Sequence, residues 1–397
     1  MKTNQTQKNI PTEWQETRLV DIGVFSKGSG ITKDQLIVTG HNAIRYGELY
    51  TKYNFKIEKV YSHIPTEIIP TTTKIKYGDI LLAGSGETNE EIGKSATYLL
   101  HEDCYAGGDL IIFSPKNANS LFLSYFLNIG EGRKKLTELG QGQSVVHIYK
   151  SEVEKLKLHL PSLPEQNRIV SVIETWDKSI EKLSNKIEIK KQIKKGLMQD
   201  LLTGKKRLQG FNDKWRFVNL GGTCQEIKTG KLDANAMVKN GKYRFYTCAK
   251  DFYLIDDYAF DTEALLVSGN GANVGYVHYY KGKFNAYQRT YVLYEFNENI
   301  LFIKYLLDIF LKIRIKEEVR EGNTPYITMD TLTDMSLKIP SKKEQQRIVN
   351  ILSTADEEIK RLENKLKILK EQKRYLLNNL ITGTIRTPET LLAKLTK

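Results

Sequence analysis

LPSLPEQNRIV, residues 160–170, decides how this chain folds, because it is written twice. It returns at residues 339–349 as IPSKKEQQRIV, and the segment LMQDLLTGKKRL at 197–208 returns as LLNNLITGTIR at 376–386. Sliding residues 160–208 forward by 179 positions lays them on 339–387 without a gap, with 21 of the 49 aligned pairs identical. An internal repeat of this kind is an architectural unit and constrains what lies between its copies.

Each copy reads as one long helix. Pro161 and Pro164 stand where a helix can begin but not continue. Gly204 and Gly383 stand where a left-handed cap ends one. In the second copy Ile348, Leu352, Ala355, Ile359, Leu362, Leu366, Leu369, Lys373, Leu376 and Leu380 alternate in steps of four and three, a heptad seam with one charged interruption. The first copy follows with Ile169, Ile173, Trp176, Ile180, Leu183, Ile187, Lys190, Lys194, Leu197 and Leu201. Here two lysines break the stripe, and Ile189 and Ile193 suggest that it drifts sideways. About 38 residues at ~1.5 Å each give a rod of about 57 Å. A one-sided stripe needs a partner, so the two helices are expected to pack antiparallel about a pseudo-twofold axis. A homodimeric coiled coil is the alternative, and it is weaker because one chain already supplies both halves.

The 397 residues suffice for two or three domains, and 40% hydrophobic content with 22 tyrosines argues against disorder. A net charge of +13 points to a polyanionic partner. Cys104, Cys224 and Cys248 lack metal-ligand spacing and are odd in number, which suits reduced thiols in the cytoplasm. Residues 1–11 lack the apolar core of a signal peptide. No apolar run approaches the ~18 residues of a membrane span, so no membrane association is expected.

The remaining segments, 1–159 and 209–338, read as diverged copies of each other. Trp14 and Leu19 correspond to Trp215 and Leu220. Each has a lysine-bearing glycine loop, at residues 26–30 and 228–231, and an apolar strand running into a glycine turn. Those turns follow Ile80-Leu81-Leu82-Ala83 and Leu265-Leu266-Val267-Ser268. Further strands (110–113, 291–294) and an amphipathic helix (121–139, 300–319) follow, then a polar turn before the long helix. The fold class is therefore α+β: two mixed α/β domains separated by two long antiparallel helices in a coiled coil, with a pseudo-twofold internal repeat. Residues 384–397 suggest a short polar helix.

A search for chemistry returns near misses. Gly93-Lys94-Ser95 ends like a phosphate-binding loop, but its first glycine is displaced by two residues. Gly84-Ser85-Gly86 lacks the spacing of a nucleophile elbow. His41, His63, His101, His147, His159 and His278 form no metal-ligand pattern. No Asn-Pro-Pro-Tyr or Asp-Pro-Pro-Tyr motif of an amino-methyltransferase occurs. No catalytic and no metal residue is assigned.

The repeated start and exit of the helices closely resemble the specificity subunit of type I restriction-modification systems, over essentially the whole chain. The resemblance implies target recognition domains at 1–159 and 209–338 and conserved spacer helices at 160–208 and 339–397, the latter with the tail. It implies a non-catalytic subunit that reads a bipartite, asymmetric double-stranded DNA target. It also implies two methyltransferase subunits and restriction (translocase) subunits as partners. No cofactor is expected in this chain; S-adenosylmethionine and ATP with Mg²⁺ are expected in the partners. The competing readings are a self-contained DNA methyltransferase or nuclease, and an architectural DNA-bridging protein.

Affinity for DNA would come from cations on phosphates and specificity from polar side chains at base edges. The candidate readers are loop residues: Lys27, Ser29, Ser85, Lys94, Gln141, Gln143 and Ser144 in the first domain. In the second they are Lys228, Lys231, Asn270, Asn273, Gln288, Arg289, Asn323 and Thr324. For partner binding the repeated polar residues Glu165, Gln166, Arg168, Glu344, Gln345 and Arg347 are the candidates, since matched charges suit two copies of one partner.

Overall fold

A computed structural model describes residues 11–142, 145–318 and 325–390. The chain divides into two compact units, residues 1–183 with 365–397 and residues 184–364. The repeated segments form helices Leu163–Leu202 and Lys342–Ile381, of 40 residues each. Each starts just after its proline, with Ser162 and Ser341 accepting the first backbone bonds, from Gln166 and Gln345. Each ends before a glycine of positive φ, Gly204 and Gly383, both at 70°. Part of each helix lies in each unit, so every unit contains a helix pair.

In unit 1, Asp177 of the first long helix pairs with Lys373 of the second, and Glu165 with Arg386 just beyond its end. In unit 2, Asp356 pairs with Lys194, Glu358 with Lys190, and Glu344 with Arg207. Numbers rise along one helix as they fall along the other, so both pairs are antiparallel. The seam holds as expected: Leu362, Leu366, Leu369 and Lys373 are each less exposed than their neighbours, and Ile348, Leu352 and Leu380 are buried. The expected sideways drift in the first helix does not occur. Ile189 and Ile193 are over half exposed, while Lys190 and Lys194 keep the seam by facing acids on the other helix. An aliphatic lysine stem covers the seam and its ammonium meets a carboxylate at the rim, so a lysine need not break a stripe. Ile368 and Tyr375, which match Ile189 and Gly196 in the repeat, are likewise exposed, at 53% and 62%.

Glu165, Gln166, Glu344 and Gln345 are buried and satisfied inside their own units. Gln166 donates to the Pro161 carbonyl and accepts from the Asn119 amide; Gln345 does the same with Pro340 and Asn299. Asn119 and Asn299 in turn cap the domain helices Ser120–Asn128 and Ile300–Glu318. Arg386 grips Glu165 with two bonds of 2.6 and 2.7 Å, and Arg207 grips Glu344 with two of 2.8 Å. These four residues are corrected from partner contacts to structural ones, because their polar groups already have partners. Of the six, only Arg347 is exposed; Arg168 is half-buried and donates to Thr387.

Trp14 and Trp215 complete the junctions by lying on Gly383 and Gly204, where an added methyl would come within 3.0 and 3.4 Å of the rings. Each unit also has a strand before its first core leucine that pairs antiparallel with the strand entering the long helix: Gln15–Arg18 with Lys157–Leu160, and Arg216–Asn219 with Ser336–Ile339. Unit 1 carries a five-stranded and a four-stranded sheet, and unit 2 one six-stranded sheet, all mostly antiparallel with some parallel pairs. One sheet face in each unit packs on the domain helices and the long helices, through Ile80, Leu82 and Phe113 in unit 1 and Leu265, Val267 and Leu293 in unit 2. The single helix expected at 121–139 is broken at Gly130 (φ 66°) into Ser120–Asn128 and Gly130–Glu138. The expected polar helix after Gly383 is absent from the described part, residues 384–390, where Arg386 and Thr387 pack back onto unit 1.

Replacing Arg386 or Arg207 by Ala leaves a buried carboxylate unpaired, and each change should cost on the order of 2–4 kcal/mol. Urea denaturation of the purified chain reads this as a lower midpoint; an unchanged midpoint would contradict the structural role.

Candidate nucleic-acid interface

In unit 1 the glycines draw four loops together. Strand Gly23–Lys27 ends at Gly28, whose amide donates to the Leu110 carbonyl at 2.8 Å. A methyl on Gly28 would lie 2.0 Å from the Gly107 oxygen, so only glycine allows this approach. Gly84 donates to Asp109 at 2.7 Å, and Ile148 donates to Gly84 at 2.9 Å. Gln141 and His147 exchange backbone bonds beside the glycine turn. The result is a cleft of about 300 Å³ lined by Lys27, Gly84, Asp109, His147, Tyr149 and Lys150 among others.

Unit 2 repeats the frame. Gly230 donates to Thr290 at 3.2 Å, Gly269 to Arg289 at 2.8 Å, and Ile327 to Gly269 at 2.9 Å. A methyl on Gly230 would lie 1.9 Å from the Ala286 oxygen. Tyr326, the counterpart of His147, is 60% exposed.

These frames bring several of the expected readers together and bind up others. Lys27, Gln141, Lys231 and Arg289 are exposed. Lys228 is exposed too, but it bonds the Tyr294 hydroxyl (2.9 Å) and Glu226 (3.0 Å), which hold its ammonium above the ordinary lysine value. Ser29 donates to the Thr71 carbonyl, Gln288 to Asp233 and Asn273 to the Cys248 carbonyl. Asn270 pairs through its backbone with Tyr326. Lys94 is half-buried at the far end of the Gly84 turn, its carbonyl bonded to Ala83. Ser85 is corrected: it is buried, and its hydroxyl is held at 2.9 Å from His147 Nδ1, so it supports the loop rather than reading from it. Gln143, Ser144, Asn323 and Thr324 lie outside the described residues. Asp109, His147, Tyr149 and Lys150 were missed by the sequence reading; the Gly107-Gly108 pair before a strand was the available signal for Asp109.

All three cysteines are free. Burial pushes the Cys104 thiol up to about 12 and the Cys224 thiol up to about 11. Cys248 is half-exposed, and its Sγ lies 3.4 Å from the Arg289 carbonyl in the unit 2 frame. No described helix is long and apolar enough to cross a membrane.

The sequence model of the family described as Type I restriction modification DNA specificity domain matches residues 11–194 and 212–371. The type I restriction enzyme EcoDI specificity subunit of Escherichia coli is 39% identical over 175 residues, which are 43% of this chain and 38% of that subunit. The type I restriction enzyme MjaVIII specificity subunit of Methanocaldococcus jannaschii is 24% identical over 423 residues, covering 95% of this chain and 94% of that one. Among solved structures, the S subunit of a type I restriction-modification system from M. genitalium matches with a TM-score of 0.60 at 17% identity, over 96% of this chain and 98% of that one. A chain from work on complex assembly and conformational transition of the type I R-M system matches at 0.58 and 17% identity, over 95% of this chain and 100% of its own. At such identities the likeness is one of fold.

A thiol-specific maleimide applied to the native protein near neutral pH should modify Cys248 alone, because the other two thiols are buried and protonated. Mass spectrometry of the digested protein checks this, and rapid labelling of Cys104 or Cys224 would contradict the packing described.

Proposed function

As this chain belongs to the type I restriction-modification DNA specificity family, we propose that it is the DNA-reading subunit of such a complex and performs no chemistry itself. The observation that carries this reading is the doubled loop frame: two sets of glycine-pinned loops with unlike side chains, each built onto its own copy of the same helix junction. Unlike readers on a repeated scaffold suit a bipartite target with two different halves. Exposed Lys27 and Lys231 supply phosphate contacts and give salt-dependent binding. Continuous helices of 40 residues, about 60 Å long, suit a spacer that fixes the unread gap between the halves.

Methyltransferase and restriction subunits are the proposed partners, and the S-adenosylmethionine and ATP–Mg²⁺ sites are assigned to them. With Glu165, Gln166, Glu344 and Gln345 buried, the docking surface is better sought on the outer helix faces. Ile189 in unit 2 and Ile368 in unit 1 are large, apolar and exposed at the same position of the repeat, as two copies of one partner require.

Co-expression with a type I methyltransferase subunit, followed by sequencing of methylated adenines, tests the reading. Methylation should appear only with both chains present, at one bipartite motif; methyl transfer by this chain alone would overturn it. Removal of one heptad, about seven residues, from both long helices should change the gap and leave both half-motifs intact. Ile189→Asp with Ile368→Asp should reduce co-purification of the methyltransferase at least about tenfold while the melting temperature holds, since both side chains are exposed.

A further inference from the structure

Three backbone bonds of the two loop frames correspond, yet one position carries opposite charge. The residue whose carbonyl receives the glycine-turn amide is Asp109 in unit 1 and Arg289 in unit 2. The strand register confirms the match, since Leu110 lies opposite Ala83 and Thr290 opposite Ser268. Both side chains are exposed, and neither enters an ion pair among the described residues. The surroundings change with them: Lys150 and Ser151 on the unit 1 cleft become Met329 and Asp330 in unit 2.

Asp109 holds a left-handed backbone, with φ 59°, which aspartate and asparagine tolerate better than other side chains. Asp109 lines a cleft together with Lys27 and Lys150. Facing DNA, a lone carboxylate repels phosphates and weakens binding. That cost is offset where it accepts a hydrogen bond from a base, and the major groove offers such donors only at cytosine N4 and adenine N6. Arg289 has the complementary chemistry: a planar fork of donors that fits guanine O6 and N7.

Resting on the DNA-reading role proposed above, we infer that Asp109 and Arg289 are specificity-determining residues of opposite polarity. Asp109 selects a base with an exocyclic amino group in one half-target, and Arg289 selects guanine in the other. The two halves of the target then differ because one loop position accepts hydrogen bonds while its counterpart donates them.

The test uses the full chain. Its preferred duplex is selected from a randomised pool, and binding is then measured to every single base-pair variant of that duplex. Asp109→Asn and Asp109→Gly both accommodate the backbone, and Arg289→Lys keeps the charge but loses the fork. Each Asp109 variant should lose or change preference at one cytosine or adenine in one half, by about 5- to 150-fold, and leave the other half unaltered. Arg289→Lys should lose preference at one guanine in the opposite half while the salt dependence stays the same. Uniform changes in affinity across the panel, or unchanged preferences at every position, would overturn the inference and leave the DNA-reading role standing. A wild-type chain that selects no sequence at all would overturn both.

Discussion

A carboxylate cannot stay ionised inside a protein unless something answers it, and this architecture places one in the first turn of each long helix. Glu165 and Glu344 are buried, and each is held by two hydrogen bonds from an arginine that follows the end of the other long helix, Arg386 or Arg207. Each bond pair ties the start of one helix to the exit of the other within a single unit. Trp on the capping glycine, glutamine across the opening proline and the seam lysines on Asp177 and Asp356 all repeat around that clamp. The internal repeat in the sequence is thus a contact list kept twice.

This explains which parts of the fold were legible. The helices, their caps and nearly every seam position follow from periodicity, proline and glycine, because those signals are local. The role of Glu165 and Gln166 was not legible. Arg386 and Asn119, which bind them, lie far along the chain, and a repeated charged motif reads equally well as a surface. Lys190 and Lys194 were misread for the same reason, since the acids that let them stay in the seam belong to the other copy. Ile189 and Ile193 then looked like a shifted stripe, when they are an uncovered one.

The expected glycine turns are present, but residue type alone did not show which side chains are already bonded inside their unit. Ser85 belongs to the frame because His147 holds it; Gln288 and Asn273 already have bonds inside the unit. Asp109 was not among the expected readers, which were all basic or uncharged polar residues. Only the backbone bond to Gly84, matched by that of Arg289 to Gly269, marks it as the counterpart of an arginine.

The way the units share the chain also dictates a schedule during synthesis. Unit 2 is one unbroken stretch, whereas unit 1 joins the first 183 residues to the last 33. A ribosome adds about 5–20 residues per second, so Glu165 waits on the order of 10–45 s for Arg386 to emerge, and Trp14 about 20–75 s for Gly383. The half made first is the last to close, and in that interval its uncovered apolar residues are exposed to chaperones and to neighbouring nascent chains.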